Sequence, residues 1–238
     1  GRQAFSSFPD WNGAGRQAGC DAVLKDGETQ RKKRLGVLIS GGGTNLQAVM
    51  DAVAEGRIPA EISLVLSDRR DAYGLTRARQ SSIPARYINK KEFADSREFN
   101  RAILDRLTQY QVDYVVLAGY LSILSGELVD HYPNRIVNIH PSLIPSFCGM
   151  GCYGVHVRQA VLDYGAKVTG ATVHFVDEGT DTGPIILQKP VVVLPEDDAR
   201  SLAARVLEAE HEILPEAVEL LVRGKLRVMG RKVVIENG

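Results

Sequence analysis

Short, strongly apolar runs recur along this chain, with segments of helical period between them. Residues 35–40, 62–67 and 112–118 are nearly continuous stretches of Leu, Ile, Val and Ala. Strands buried on both faces read this way, because crossover helices cover both sides of a parallel sheet. Leu46, Val49, Met50 and Val53 fall at helical spacing, predicting a helix from Thr44 to about Glu55 that Gly56 closes. Thr44 and Gln47 have capping-box spacing. A helix from Tyr73, a short extended segment at 83–88 and a helix opened by Asp95 and Glu98 follow. The alternation predicts an α/β protein with a doubly wound, mostly parallel sheet and a Rossmann-like N-terminal half. Later strands are expected at 171–176, 185–188 and 191–193, and a long amphipathic helix at 198–222, with Pro215 as a candidate kink.

Composition removes several function classes. Lys plus Arg equals Asp plus Glu, at 29 each, so the chain has no general electrostatic drive toward nucleic acid or anionic membrane. No apolar run approaches the ~20 residues of a membrane span, and no signal-peptide core opens the chain. Cys20, Cys148 and Cys152 make a poor disulfide framework, which fits a reducing, cytoplasmic setting. Residues 1–30 are rich in Gly, Ser, Ala and Gln, lack a sustained period, and read as a flexible extension or linker. The basic run at 31–34 reads as a solvated lead-in to a single domain spanning 31–238.

The chemistry concentrates at residues 136–145. Ile136, Val137 and Ile139 are β-branched strand formers, interrupted by Asn138 and His140. A strand has period 2, so these two polar side chains face one side. Pro141 removes a ladder donor and ends the strand. An amide and an imidazole thus sit together at the carboxyl end of a strand, where open α/β sheets bind ligands. Polar residues merely satisfied near a strand end would give the same local pattern.

Two glycine-rich loops add to this. Ser40-Gly-Gly-Gly-Thr-Asn45 joins a strand to a helix, an arrangement that can cradle an anion on backbone amides and a helix N-terminus. It is not G-x-G-x-x-G, because Leu46 takes the last glycine position, and it lacks the Lys of a P-loop. A phosphate monoester remains, beside the alternative of a tight turn alone. Asp177-Glu-Gly-Thr-Asp-Thr-Gly-Pro184 offers three acids, one of which could orient His140; spacing does not choose among them. Cys148, Cys152 and His156 recur every four residues, but the intervening glycines argue against a continuous helix and a zinc site.

Together these pieces resemble the phosphoribosylglycinamide formyltransferases, folate-dependent enzymes of purine synthesis, over roughly residues 34–230. The resemblance rests on Leu38-Ile-Ser-Gly-Gly-Gly-Thr-Asn-Leu-Gln47, Leu117-Ala-Gly-Tyr-Leu-Ser-Ile-Leu124, Asn138-Ile-His-Pro-Ser-Leu-Ile-Pro145, and the stretch from His174 to Gln188 containing Asp181-Thr-Gly-Pro184. It implies a catalytic trio of Asn138, His140 and Asp181, and a substrate-phosphate loop at Gly43, Thr44 and Asn45. It implies a folate pocket lined by Arg97, Leu121, Ser122, Ile123, Leu124 and Asn138, and it puts the substrate's amine end on Glu210. Ser122 stands where many relatives have Arg, the loop at 147–154 is longer than in some, and residues 1–30 have no counterpart.

The implied activity is formyl transfer from 10-formyltetrahydrofolate to glycinamide ribonucleotide, without a metal, by a cytoplasmic monomer or weak homodimer. A tetrahedral intermediate needs an oxyanion donor, which Asn138 can supply, and a proton relay, which His140 can supply. The alternatives are a formyltetrahydrofolate hydrolase or a methionyl-tRNA formyltransferase. The latter would need a C-terminal RNA-binding domain and a basic surface, and the former an N-terminal regulatory domain. A non-catalytic nucleotide-binding module is the alternative outside enzymes.

Overall fold

The computed structural model describes residues 31–124, 126–151 and 154–236. The chain divides after Arg31, and all elements below belong to the unit beginning at Lys32. The linker expected at residues 1–30 lies outside the described residues.

The first half alternates as expected: β1 (Lys33–Ile39), α1 (Thr44–Ala54), β2 (Ala60–Ser67), α2 (Tyr73–Gln80), β3 (Ala85–Tyr87), α3 (Ser96–Gln109) and β4 (Tyr114–Leu117). Then come α4 (Glu127–His131), β5 (Ile136–His140), α5 (Val155–Tyr164), β6 (Val168–Phe175), β7 (Ile185–Val192), α6 (Ala199–Val222), β8 (Leu226–Met229) and β9 (Lys232–Ile235). They build a nine-stranded sheet of order β3-β2-β1-β4-β5-β6-β7-β9-β8. The first five strands are parallel, and the order reverses between β1 and β4. Such a reversal opens a crevice beyond the strands' carboxyl ends.

Alternate side chains of one strand feed two cores. Val37 and Ile39 of β1 pack with α1, α2 and α6, through Leu46, Val49, Leu75, Leu214 and Val218. Leu38 faces the other way and packs with Phe99, Ile103 and Leu107 of α3 and Leu128 of α4. Leu46 is fully buried. Truncating such a leucine to alanine costs about 2–5 kcal/mol.

Four local expectations change. β6 runs antiparallel to both β5 and β7, a direction that apolar periodicity does not encode. The two short late strands are one, β7, which runs through Pro190. Among the described residues β7 meets β9 only at Ile185 and its outer edge beyond that point has no strand partner, so a missing N–H breaks no ladder on that side. The capping box at Thr44 and Gln47 does not form; Gly43 is the N-cap, in a left-handed conformation, and Gln47 bonds Asp51 instead. The β8–β9 hairpin was not anticipated. The helix at α6 is opened by a capping box of Asp198 and Ser201 and continues through Pro215.

Candidate active site

The carboxyl ends of β1, β4 and β5 surround a cavity of about 450 Å³. Its walls include Ser40, Gly41, Asn45, residues 119–124, Asn138, His140, Arg158, His174, Asp181 and Glu210. Of the expected site residues, Asn45, Leu121, Ser122, Ile123, Leu124, Asn138, His140, Asp181 and Glu210 thus share one cavity. Gly43 and Thr44 adjoin it, Thr44 lining a neighbouring groove with Gln47, Arg77 and His211. Arg97 is exposed in the first turn of α3 and is not part of the lining.

Strand register assembles the centre. β5 and β6 pair antiparallel with Asn138 opposite His174, so the two side chains meet on one face. His174 Nδ1 is 2.8 Å from the carbonyl of Phe175, to which it donates, so Nε2 is an acceptor when the ring carries a single proton. Asn138 Nδ2 donates to that nitrogen at 3.1 Å. The amide orientation of Asn138 is thereby fixed, and its second N–H remains for another acceptor. His174 is buried, and its role was missed in the sequence because it depends on register rather than spacing.

His140 is also buried, at 4% exposure. Its Nε2–H donates to the Phe147 carbonyl at 3.0 Å, which turns Nδ1 toward Asp181 Oδ2 at 3.6 Å. Burial pushes the imidazole below the ordinary histidine range, outweighing the opposing Phe147 hydrogen bond and the Asp181 charge. For Asp181, burial acts upward, but the facing His174, the Gly149 N–H and the charge of His140 together hold the carboxyl below its usual range. Gly149 N donates to Asp181 Oδ2 at 3.0 Å. The other two acids of that loop are accounted for: Asp177 accepts from Gly179 N and Thr182 Oγ1 and builds the turn, while Glu178 is exposed.

The loop between β5 and α5 is held from beneath. Ser142 Oγ is fully buried and donates to the carbonyls of Ser146, at 2.6 Å, and Phe147, at 3.2 Å. Thr172 Oγ1 donates to Ser142 O at 2.7 Å and accepts from Ile144 N at 3.1 Å. Cys148 lies on this loop and His156 on the exposed side of α5. Cys152, the middle member of the zinc spacing, lies outside the described residues.

Two further groups flank the centre. On one side Glu210 is buried, with Asn45 Nδ2 at 2.7 Å from Oε2 and Arg158 Nη2 at 3.8 Å from Oε1. Burial raises its carboxyl, and the Asn45 bond and Arg158 charge oppose the rise. Asn45 Oδ1, Glu210 Oε1 and Arg158 Nε are buried atoms with no hydrogen-bond partner among the described residues. Buried polar atoms of this kind ordinarily find partners, so the cluster suits a polar ligand. On the other side Leu121 and Ile123 are 49% and 51% exposed, an apolar wall in a cavity. Asp68 at the end of β2 supports that wall, accepting from Ser40 Oγ at 2.6 Å and Ser122 Oγ at 2.7 Å. Ser40 Oγ also accepts from Leu121 N at 2.9 Å.

An amide donor, an imidazole and a carboxylate beside a two-sided cavity describe a group-transfer enzyme of the α/β class. The chain belongs to the formyl transferase family, whose model matches residues 33–218. It is similar to the phosphoribosylglycinamide formyltransferase of Haemophilus influenzae, with 42% identity over 82% of this chain and 90% of that protein. The crystal structure of glycinamide ribonucleotide transformylase 1 from Symbiobacterium toebii superposes with a TM-score of 0.83 and 47% identity, covering 87% of this chain and 95% of that one. The trifunctional purine biosynthetic protein adenosine-3 of Drosophila melanogaster is 44% identical over 82% of this chain, which spans 14% of its length. No helix among the described residues is long and apolar enough to cross a membrane.

Proposed function

We propose that this chain transfers the formyl group of 10-formyltetrahydrofolate to the amine of glycinamide ribonucleotide, giving formylglycinamide ribonucleotide and tetrahydrofolate. The observation that carries this reading is the position of Asn138, His140 and Asp181 between two unlike walls of one cavity. The apolar wall at Leu121 and Ile123 suits the folate ring system. The polar recess of Asn45, Arg158 and Glu210 suits the acceptor, with its phosphate on the loop of Gly43, Thr44 and Asn45.

The amine attacks the formyl carbon, and the carbonyl electrons move onto oxygen. The free N–H of Asn138 stabilises that oxyanion, a role worth about 2.7–4 kcal/mol where single donors have been removed. The oxyanion then collapses and the bond from the formyl carbon to the folate nitrogen breaks; the amine must lose a proton and the departing folate nitrogen must gain one. His140 Nδ1 and Asp181 face each other at 3.6 Å, and one donor can contact both. They relay that proton, with Asp181 stabilising the imidazolium form. Holding both substrates in line supplies further acceleration.

A formyl-folate hydrolase would need only water as acceptor and has no use for the Asn45–Glu210 recess. Tetrahydrofolate formation, followed by absorbance with and without the ribonucleotide, tests the reading. Dependence on the ribonucleotide supports transfer; turnover without it means hydrolysis.

A further inference from the structure

The loop of residues 40–43 is gripped by α2, an element so far without a part in the site. Gly74 N donates to the carbonyl of Gly41 at 3.1 Å. Arg77 Nε donates to the carbonyl of Gly42 at 2.8 Å, and its Nη1 reaches Gln47 Oε1 at 3.3 Å. The two backbones touch: a Cβ on Gly43 would lie 2.5 Å from Gly74 Cα, and Gly43 has a φ of 74° that favours glycine. A Cβ on Gly74 would meet Ile39 Cδ1 at 2.3 Å and Gly43 Cα at 3.1 Å. In a trans peptide the carbonyl and the following N–H point in opposite directions. Holding the carbonyls of Gly41 and Gly42 against α2 therefore turns the N–H groups of Gly42 and Gly43 away from it. They then add to the unpaired donors in the first turn of α1.

We infer that Gly74 and Arg77 are positioning residues for the acceptor's phosphate, acting through the carbonyls of Gly41 and Gly42. This rests on the acceptor reading above. Arg77 acts as a clamp on the loop backbone as well as a nearby charge. A change at Gly74, which carries no charge, should therefore have the same effect as a change at Arg77.

The experiment compares steady-state kinetics of Arg77→Met, Arg77→Lys and Gly74→Ala with the parent chain, using glycinamide ribonucleotide and its unphosphorylated riboside. Loss of aligned donors to a charged group should raise KM for the ribonucleotide by about tenfold in Arg77→Met and Gly74→Ala. The KM for 10-formyltetrahydrofolate and the kinetics with the riboside should stay as in the parent. Competition by inorganic phosphate against the ribonucleotide should weaken in the same two variants. An unchanged KM in Gly74→Ala with a raised KM in Arg77→Met alone would mean direct charge contact and would overturn the clamp. Equal losses with riboside and ribonucleotide would overturn it as well. If Gly74→Ala does not fold, Arg77→Lys decides: it keeps the charge, so parent-like phosphate competition in that variant contradicts the clamp. A parent chain that never turns over the ribonucleotide would instead remove the acceptor reading.

Discussion

His140 Nδ1 lies 3.6 Å from Asp181 Oδ2, beyond hydrogen-bond length, while the opposite ring nitrogen is tied to the Phe147 carbonyl at 3.0 Å. The tie assigns the titrating position to Nδ1 and points it at the carboxylate. Replacing His140 with Ala should lower kcat by about 10²–10⁴ and Asp181→Asn by a comparable factor, with smaller effects on either KM. Because the two act as one unit, the double variant should lose little more than the worse single one. A steady-state double-mutant cycle measures this.

The titration of His140 provides a second check. Burial lowers its pKa and the Asp181 charge opposes that, so the ring should titrate below about 6.5 and lower still in Asp181→Asn. The folded pKa lies below the unfolded one, so on acidification the unfolded chain takes up this proton first. This contribution to stability is present above about pH 6.5 and is lost as pH falls toward the folded pKa. NMR of labelled histidine follows the ring, and urea unfolding at several pH values follows the stability. A ring titrating above 6.5 would contradict the burial argument.

Ser142 joins the loop to the imidazole, because its hydroxyl and His140 Nε2–H share the Phe147 carbonyl. Ser142→Ala should destabilise the fold by about 1–3 kcal/mol, the range for unsatisfied buried groups. It should also loosen the His140 tautomer, visible in nitrogen chemical shifts. Stability loss with an unchanged tautomer would restrict Ser142 to holding the loop.

Asp68 orders the apolar wall through Ser40 and Ser122. Asp68→Ala should raise KM for the folate by about tenfold, as expected for losing hydrogen bonds to a charged group, and leave KM for the ribonucleotide near the parent value. Substrate-resolved kinetics separate the two, and equal rises in both would show a general disturbance.

The parallel half of the sheet could be read from sequence because strands covered on both faces are written as unbroken apolar runs. The hairpin of Leu226–Met229 and Lys232–Ile235 could not, since its residues are half-exposed and charge interrupts them. Asn138 and His140 were visible through period 2. Spacing alone left Asp181 one of three acids; the family resemblance picked it out, and the turn geometry separates it from Asp177 and Glu178. His174, Asp68 and Arg77 needed strand register and loop packing, which leave no local mark. Arg97 carried a family role on sequence grounds, but its exposed place on α3 keeps it out of the cavity wall.

The most direct measurement is a single-turnover reaction with formyl-labelled 10-formyltetrahydrofolate and glycinamide ribonucleotide, with products separated and counted. The account predicts that the label moves to the ribonucleotide's amine nitrogen, and that transfer collapses in His140→Ala and Asp181→Asn. Label released as formate, at the same rate with and without the ribonucleotide, would contradict it.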